Sequence, residues 1–204
     1  MNRIARSVAV VSGVLAAIAA GTTACGSSND HSTPTTSPAA RTVRSGIPDS
    51  AKKFDITSPD LTDGQAMSQA QWANSNGCTG GNQAPRVRWS GAPADAKSFA
   101  VTMFDVDAPT GSGLWHWLTW DIPATATDLT AAANAVAGTN DLGMSGYLGP
   151  CPPTGDGLHH YWITVLALDT PALGLPANTP PALAAFALNR RTIGFARMTV
   201  TAQQ

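Results

Sequence analysis

An all-β sandwich is the fold class predicted for this chain, and two observations predict it. From about Lys53 onward, Gly, Pro, Asn and Asp break the sequence into short segments at intervals of roughly ten to fifteen residues, the rhythm of a sandwich rather than of βαβ units. Those segments are also rich in β-branched and aromatic residues, which fit a pleated, half-buried surface. In chain order the expected strands are residues 54–57, 86–89, 99–105, 115–122, 161–167 and 197–201. Two Ala- and Leu-rich stretches, 129–136 and 181–189, are expected to form short accessory helices, the second opening with Pro181 at a first helical position. No internal repeat is present.

The folded domain is expected to span residues 53–204. At the other end, Arg3 and Arg6 precede an apolar run, 8–20, that is shorter than the ~20 residues needed to cross a bilayer, so residues 1–24 read as a signal peptide. The run closes on Gly21-Thr22-Thr23-Ala24-Cys25-Gly26, which resembles a bacterial lipoprotein signal. Thr22 departs from the usual Leu or Val of that motif. The resemblance implies that Cys25 carries fatty acyl chains of the palmitate type and becomes the N-terminus. Two or more acyl chains anchor stably. The expected location is therefore the extracytoplasmic side of the cell membrane, with plain secretion as the alternative. Residues 25–52, rich in Ser, Thr and Pro, cannot repay ordering by burial and are expected to be a tether, with His31 solvated within it.

A formal net charge of -1 and 12% charged residues exclude the basic footprint of a nucleic-acid binder. Beyond Cys25, Cys78 and Cys151 remain. In an oxidising exterior they form either a disulfide, contributing on the order of 4 kcal/mol by loop closure, or two buried thiols.

Three segments carry candidate chemistry. In residues 99–109, strand alternation places Asp105 and Asp107 on the face of Phe99, Val101 and Met103. Carboxylates continuing an apolar face need donors or cations; the plainer reading is a loop cap before Pro109. In residues 115–123, alternation puts His116 on the face of Leu118, Trp120 and Ile122, either satisfied by a carbonyl or looking into a pocket. In residues 159–165, His159 and Tyr161 share the face of Ile163 and Val165, whereas His160 points the other way with Trp162. The Pro-rich loop before them restricts its own backbone, which suits holding a small ligand without ordering cost. No metal motif is evident, and there is no GxSxG elbow, phosphate loop or dinucleotide fingerprint. No metal and no cofactor is expected.

Taken together, Cys78-Thr79-Gly80-Gly81-Asn82, Asp105-Val106-Asp107-Ala108-Pro109, Trp115-His116-Trp117, Gly149-Pro150-Cys151-Pro152-Pro153 and His159-His160-Tyr161 resemble the phosphatidylethanolamine-binding protein (PEBP) family, in its bacterial Raf-kinase-inhibitor-like branch. The resemblance implies a two-sheet antiparallel β-sandwich with a preformed anion-accepting pocket. Asp105, Asp107, His116, His159 and Tyr161 would line it, with the Gly149 to Pro153 loop, Pro150 included, as rim. Val106 stands where the family usually has Pro, and His160 where Arg is usual.

The function so implied is a non-enzymatic, lipid-anchored binding protein for phosphate-like anions or phosphorylated, phosphoethanolamine-type head groups, with a protein partner as a further expectation. The alternatives are a protease- or kinase-inhibitor type regulator and a weak phosphate-ester or ester hydrolase using His116 or His159 as base.

Overall fold

The computed structural model describes residues 43–132 and 134–204. The expected signal peptide, Cys25 and most of the expected tether lie outside the described residues.

Among the described residues there are eight strands and one α-helix: β1 (Lys52–Lys53), β2 (Asp55–Thr57), β3 (Arg88–Ser90), β4 (Ser98–Asp105), β5 (Leu114–Pro123), β6 (Val136–Ala137), β7 (His159–Leu168), α1 (Pro181–Arg191) and β8 (Thr192–Ala202). Six of them form one sheet in the order β1-β8-β7-β4-β5-β6, and β2 pairs with β3 in a second, small sheet. All pairings are antiparallel except β1 with β8.

The large sheet buries both faces. One carries Phe99, Val101, Met103, Tyr161, Ile163, Val165, Met198 and Val200 into the main core, closed by Ile56 and Trp89 of the small sheet. The other carries Ala100, Leu118, Trp120, Leu166 and Leu168 against Ala184 and Leu188 of α1. That is why β4 is buried at every position. The helix opens on Pro181 and ends in Arg190 and Arg191, whose charges oppose the negative end of its dipole.

Several sequence expectations are corrected. The helix expected over 129–136 is a single 3-10 turn, Leu129–Ala131, started by Asp128, whose side chain accepts from Thr130 N; by Val136 the chain is extended in β6. The domain also begins before Lys53: Ile47 packs beneath α1 and Lys52 is already paired in β1.

The phase of β5 is shifted twice. Met103 pairs with Trp117 but Phe104 with Trp115, so His116 is an extra residue; Phe99 pairs with Ile122 but Val101 with Thr119, with Asp121 in the left-handed region at φ 59°. Such bulges re-aim side chains. Leu118 and Trp120 therefore go to the α1 face and Ile122 returns to the main core, while His116 leaves the row of Leu118 and Trp120 and packs edge to face on Tyr161 of the main core.

Candidate functional site

A cavity of about 230 Å³ opens at the end of the large sheet where β4 finishes and β7 begins. Asp105, His116, His159 and Tyr161 supply the titratable side chains of its wall; Leu114, Leu142, Leu148, Gly149, Cys151, Pro152 and Pro153 are among its apolar and backbone surroundings.

Each polar residue arrives by a local cause. Asp105 is the last residue of β4, and its Oδ1 accepts from Asp107 N at 2.9 Å and Ala108 N at 3.1 Å, an Asx turn that ends the strand. Its Oδ2 meets His159 Nδ1 at 2.8 Å with both side chains almost fully buried. The other nitrogen of that ring, Nε2, lies 3.2 Å from Asp156 Oδ2, so the imidazole is held between two carboxylates. Burial alone would lower the His159 pKa, but the hydrogen bond and charge of Asp105, then those of Asp156, outweigh it and raise it. His159 is thus a cation to higher pH than a free histidine.

His116 is the opposite case. Leu148 N donates to the His116 carbonyl at 3.0 Å, and His116 Nδ1 lies 3.1 Å from the Leu148 carbonyl, so Nδ1 must carry the proton. Burial lowers its pKa against the opposing pull of Asp105, which leaves a neutral ring. Its Nε2 is then a bare acceptor, buried and without a partner among the described residues. The Tyr161 hydroxyl is likewise buried and has no hydrogen-bond partner within normal distance among the described residues, with its pKa pushed up by burial and then by the charge and closeness of the Asp105 carboxylate. The two rings meet edge to face, centroids 5.3 Å apart.

The rim is braced from behind. Ala73 N donates to the Pro150 carbonyl, Asn82 Oδ1 accepts from Gly149 N at 2.8 Å, and Cys78 is joined to Cys151 by a disulfide. Gly149 presses so closely on residues 71–73 that a Cβ there would lie 2.0 Å from the Gln71 carbonyl oxygen, so only glycine fits.

Among the residues expected at the site, Asp105, His116, His159 and Tyr161 are brought together, and Asp107 and Pro150 are not among the cavity's lining. The strand stops at Asp105, so alternation no longer governs Asp107. Its half-exposed carboxylate accepts instead from His160 N and Nδ1, both at 2.7 Å. Pro150 contributes a carbonyl to the brace. Val106 uses the N–H that proline would lack, donating to the His160 carbonyl at 3.1 Å, so this stretch stays tied to β7. Asp156 was missed altogether: it sits in a turn-rich loop with no periodicity to give it a direction, and only its place three residues before His159 hinted at contact.

The family model for phosphatidylethanolamine-binding protein matches residues 57–203. The chain belongs to the PEBP family. It is 42% identical over 159 residues to the UPF0098 protein YbcL of Escherichia coli (strain K12), covering 73% of this chain and 87% of that protein. It is 35% identical over 201 residues, 96% of both chains, to LppC, a candidate lipoprotein of Mycobacterium tuberculosis (strain H37Rv). Among solved structures, the crystal structure of E. coli YbcL, itself described as a PEBP-family member, matches with a TM-score of 0.72 and 40% identity over 74% of this chain and 98% of that one. The PEBP sandwich of the large and small sheets is therefore the fold of the described residues.

Proposed function

We propose that this PEBP-family chain is an exported, lipid-anchored binding protein whose pocket takes a phosphate monoester or inorganic phosphate, without turnover. One observation carries the reading: His116 Nε2, an acceptor, and the Tyr161 hydroxyl, a donor, are buried side by side on the wall of the cavity without a hydrogen-bond partner among the described residues. Buried polar groups left open in this way are completed by a ligand or water. A phosphate bearing one proton offers both complements, P–OH to Nε2 and P–O⁻ to the phenol. Asp105 and Asp156 carry one more charge than the His159 cation between them can match, which favours an amine on the ligand, as in phosphoethanolamine. The anchor at Cys25 is supported by the lipoprotein-type signal and by similarity to LppC along 96% of the chain.

Binding requires one proton at Nε2, brought by the ligand or taken up by His116 on binding. Affinity is therefore expected to fall between pH 6 and 9, as a phosphate monoester with a second pKa near 6 loses that proton. Calorimetry with phosphoethanolamine, inorganic phosphate and the diester glycerophosphoethanolamine tests this. The first two should saturate and the diester bind more weakly, and Tyr161→Phe should weaken phosphoethanolamine about tenfold. Absence of heat with all three ligands would refute the pocket assignment, and release of free phosphate from the monoester would refute the absence of turnover.

A further inference from the structure

On the face of the large sheet that carries α1, the helix leaves two large apolar side chains in the open. Leu183 is 60% exposed and Phe186 62% exposed, while Ala184, Ala185 and Leu188 of the same helix are buried. Leu183, Phe186 and Arg190 follow at i, i+3 and i+7, so they share one helix face, and the Arg190 guanidinium lies over the Phe186 ring at 5.7 Å. Arg191 is matched by Asp169, whereas Arg190 makes no ion pair among the described residues.

The chain enters the domain at this same face. The Ser45 carbonyl accepts from Asn189 of α1 at 3.4 Å, and Ile47 packs on the cluster that holds Ala184 and Leu188. The entering segment, 43–53, carries Arg44, Lys52 and Lys53 against one acid, Asp49. Only about 20 residues separate Cys25 from Ser45, a span of at most ~70 Å when fully drawn out.

From the place of entry, the two exposed apolar residues and the unmatched cations, we infer that α1 is the element that rests on the membrane: Leu183 and Phe186 enter the interfacial layer, and Arg190 with the basic residues of 43–53 meets anionic head groups. The inference rests on the anchoring of Cys25 proposed above. The acyl chains at Cys25 suffice for attachment, so the apolar and basic contacts of this face would set the orientation in which the tethered domain rests. Two side chains supply only a few hundred Å², well short of the ~800 Å² per partner of a stable protein interface, so a bilayer suits the patch better than a second copy. The small sheet, on the opposite face, then points away from the bilayer.

The test is made on the full chain in isolated bacterial membranes, with a nitroxide placed in separate variants Leu183→Cys, Phe186→Cys and, as control on the small sheet, Ser90→Cys. Collisions with oxygen relative to a water-soluble nickel complex should be several-fold more frequent at 183 and 186 than at 90. Equal ratios at the three sites in protein that sediments with the membranes would overturn the inference. So would spin–spin broadening at 186 that persists in detergent, which would give this face to a second copy. The anchor is read separately, by whether Cys25→Ala releases the protein to the soluble fraction; if it does not, the anchor reading fails while the labels still report where α1 lies.

Discussion

Two aspartate–histidine pairs stand side by side where β4 meets β7. Asp105–His159 and Asp107–His160 have almost the same separation, 2.8 and 2.7 Å, and both bring the ring Nδ1 to a carboxylate oxygen. The first pair has side chains only 3–4% exposed, the second 39–46%. Contact geometry is therefore shared and solvent is not. In the buried pair the alternative to the contact is a charge without water; in the exposed pair it is a hydrated ion at little cost. Only the buried pair lines the cavity, so similar chemistry acts as a strut of the pocket in one case and as a surface clasp between the β4 end and β7 in the other.

The sharpest way to break this comparison is to neutralise the buried carboxylate. Asp105→Asn leaves the His159 cation without its closest partner and is expected to cost about 3 kcal/mol in urea denaturation; a loss below 1 kcal/mol would show that Asp156 alone suffices.

The same deficit should depend on pH. Because the His159 pKa is raised, the stability this pair contributes is complete below about pH 6.5 and is lost as pH rises through the folded-state value. The gap between wild type and Asp105→Asn should thus narrow from pH 6 to pH 9, without closing, since a neutral Nδ1–H still donates to Asp105. A gap that widens over this range would contradict the raised pKa. Smallest of all, Asp107→Asn is expected to cost about 0.5 kcal/mol or less and to leave phosphoethanolamine affinity within about twofold by calorimetry; a tenfold loss would return Asp107 to the pocket.

How far the site was legible follows from strand continuity. In β7 the ladder to β4 is unbroken from Leu168 to Tyr161, so alternation separated His159 and Tyr161 from His160 correctly. In β4 it held through Asp105 and failed at Asp107, because the Asx turn of Asp105 ends the strand before the next alternate position. In β5 the face assigned to His116 was wrong while its approach to the cavity was right. The bulges at His116 and Asp121 break the period of two, and no residue there is a glycine that would mark them. The all-β class, the six main strands and the second helix were readable because their patterns extend over many residues. The short 3-10 turn, the Asp156 contact and the packing of Ile47 depend on tertiary neighbours that local composition does not encode.

The disulfide has a topological consequence. Joining Cys78 to Cys151 closes the chain into a covalent ring that contains β3 to β6 and leaves β1, β2, β7, α1 and β8 outside. Asp105 and His116 lie on the ring; His159 and Tyr161 do not. The ligand proposed above, held between His116 and Tyr161, would therefore link two parts of the chain whose shortest covalent route runs through the rim loop. It would act as a reversible cross-link beside the permanent one, adding stability in proportion to the logarithm of its concentration once the site is saturated.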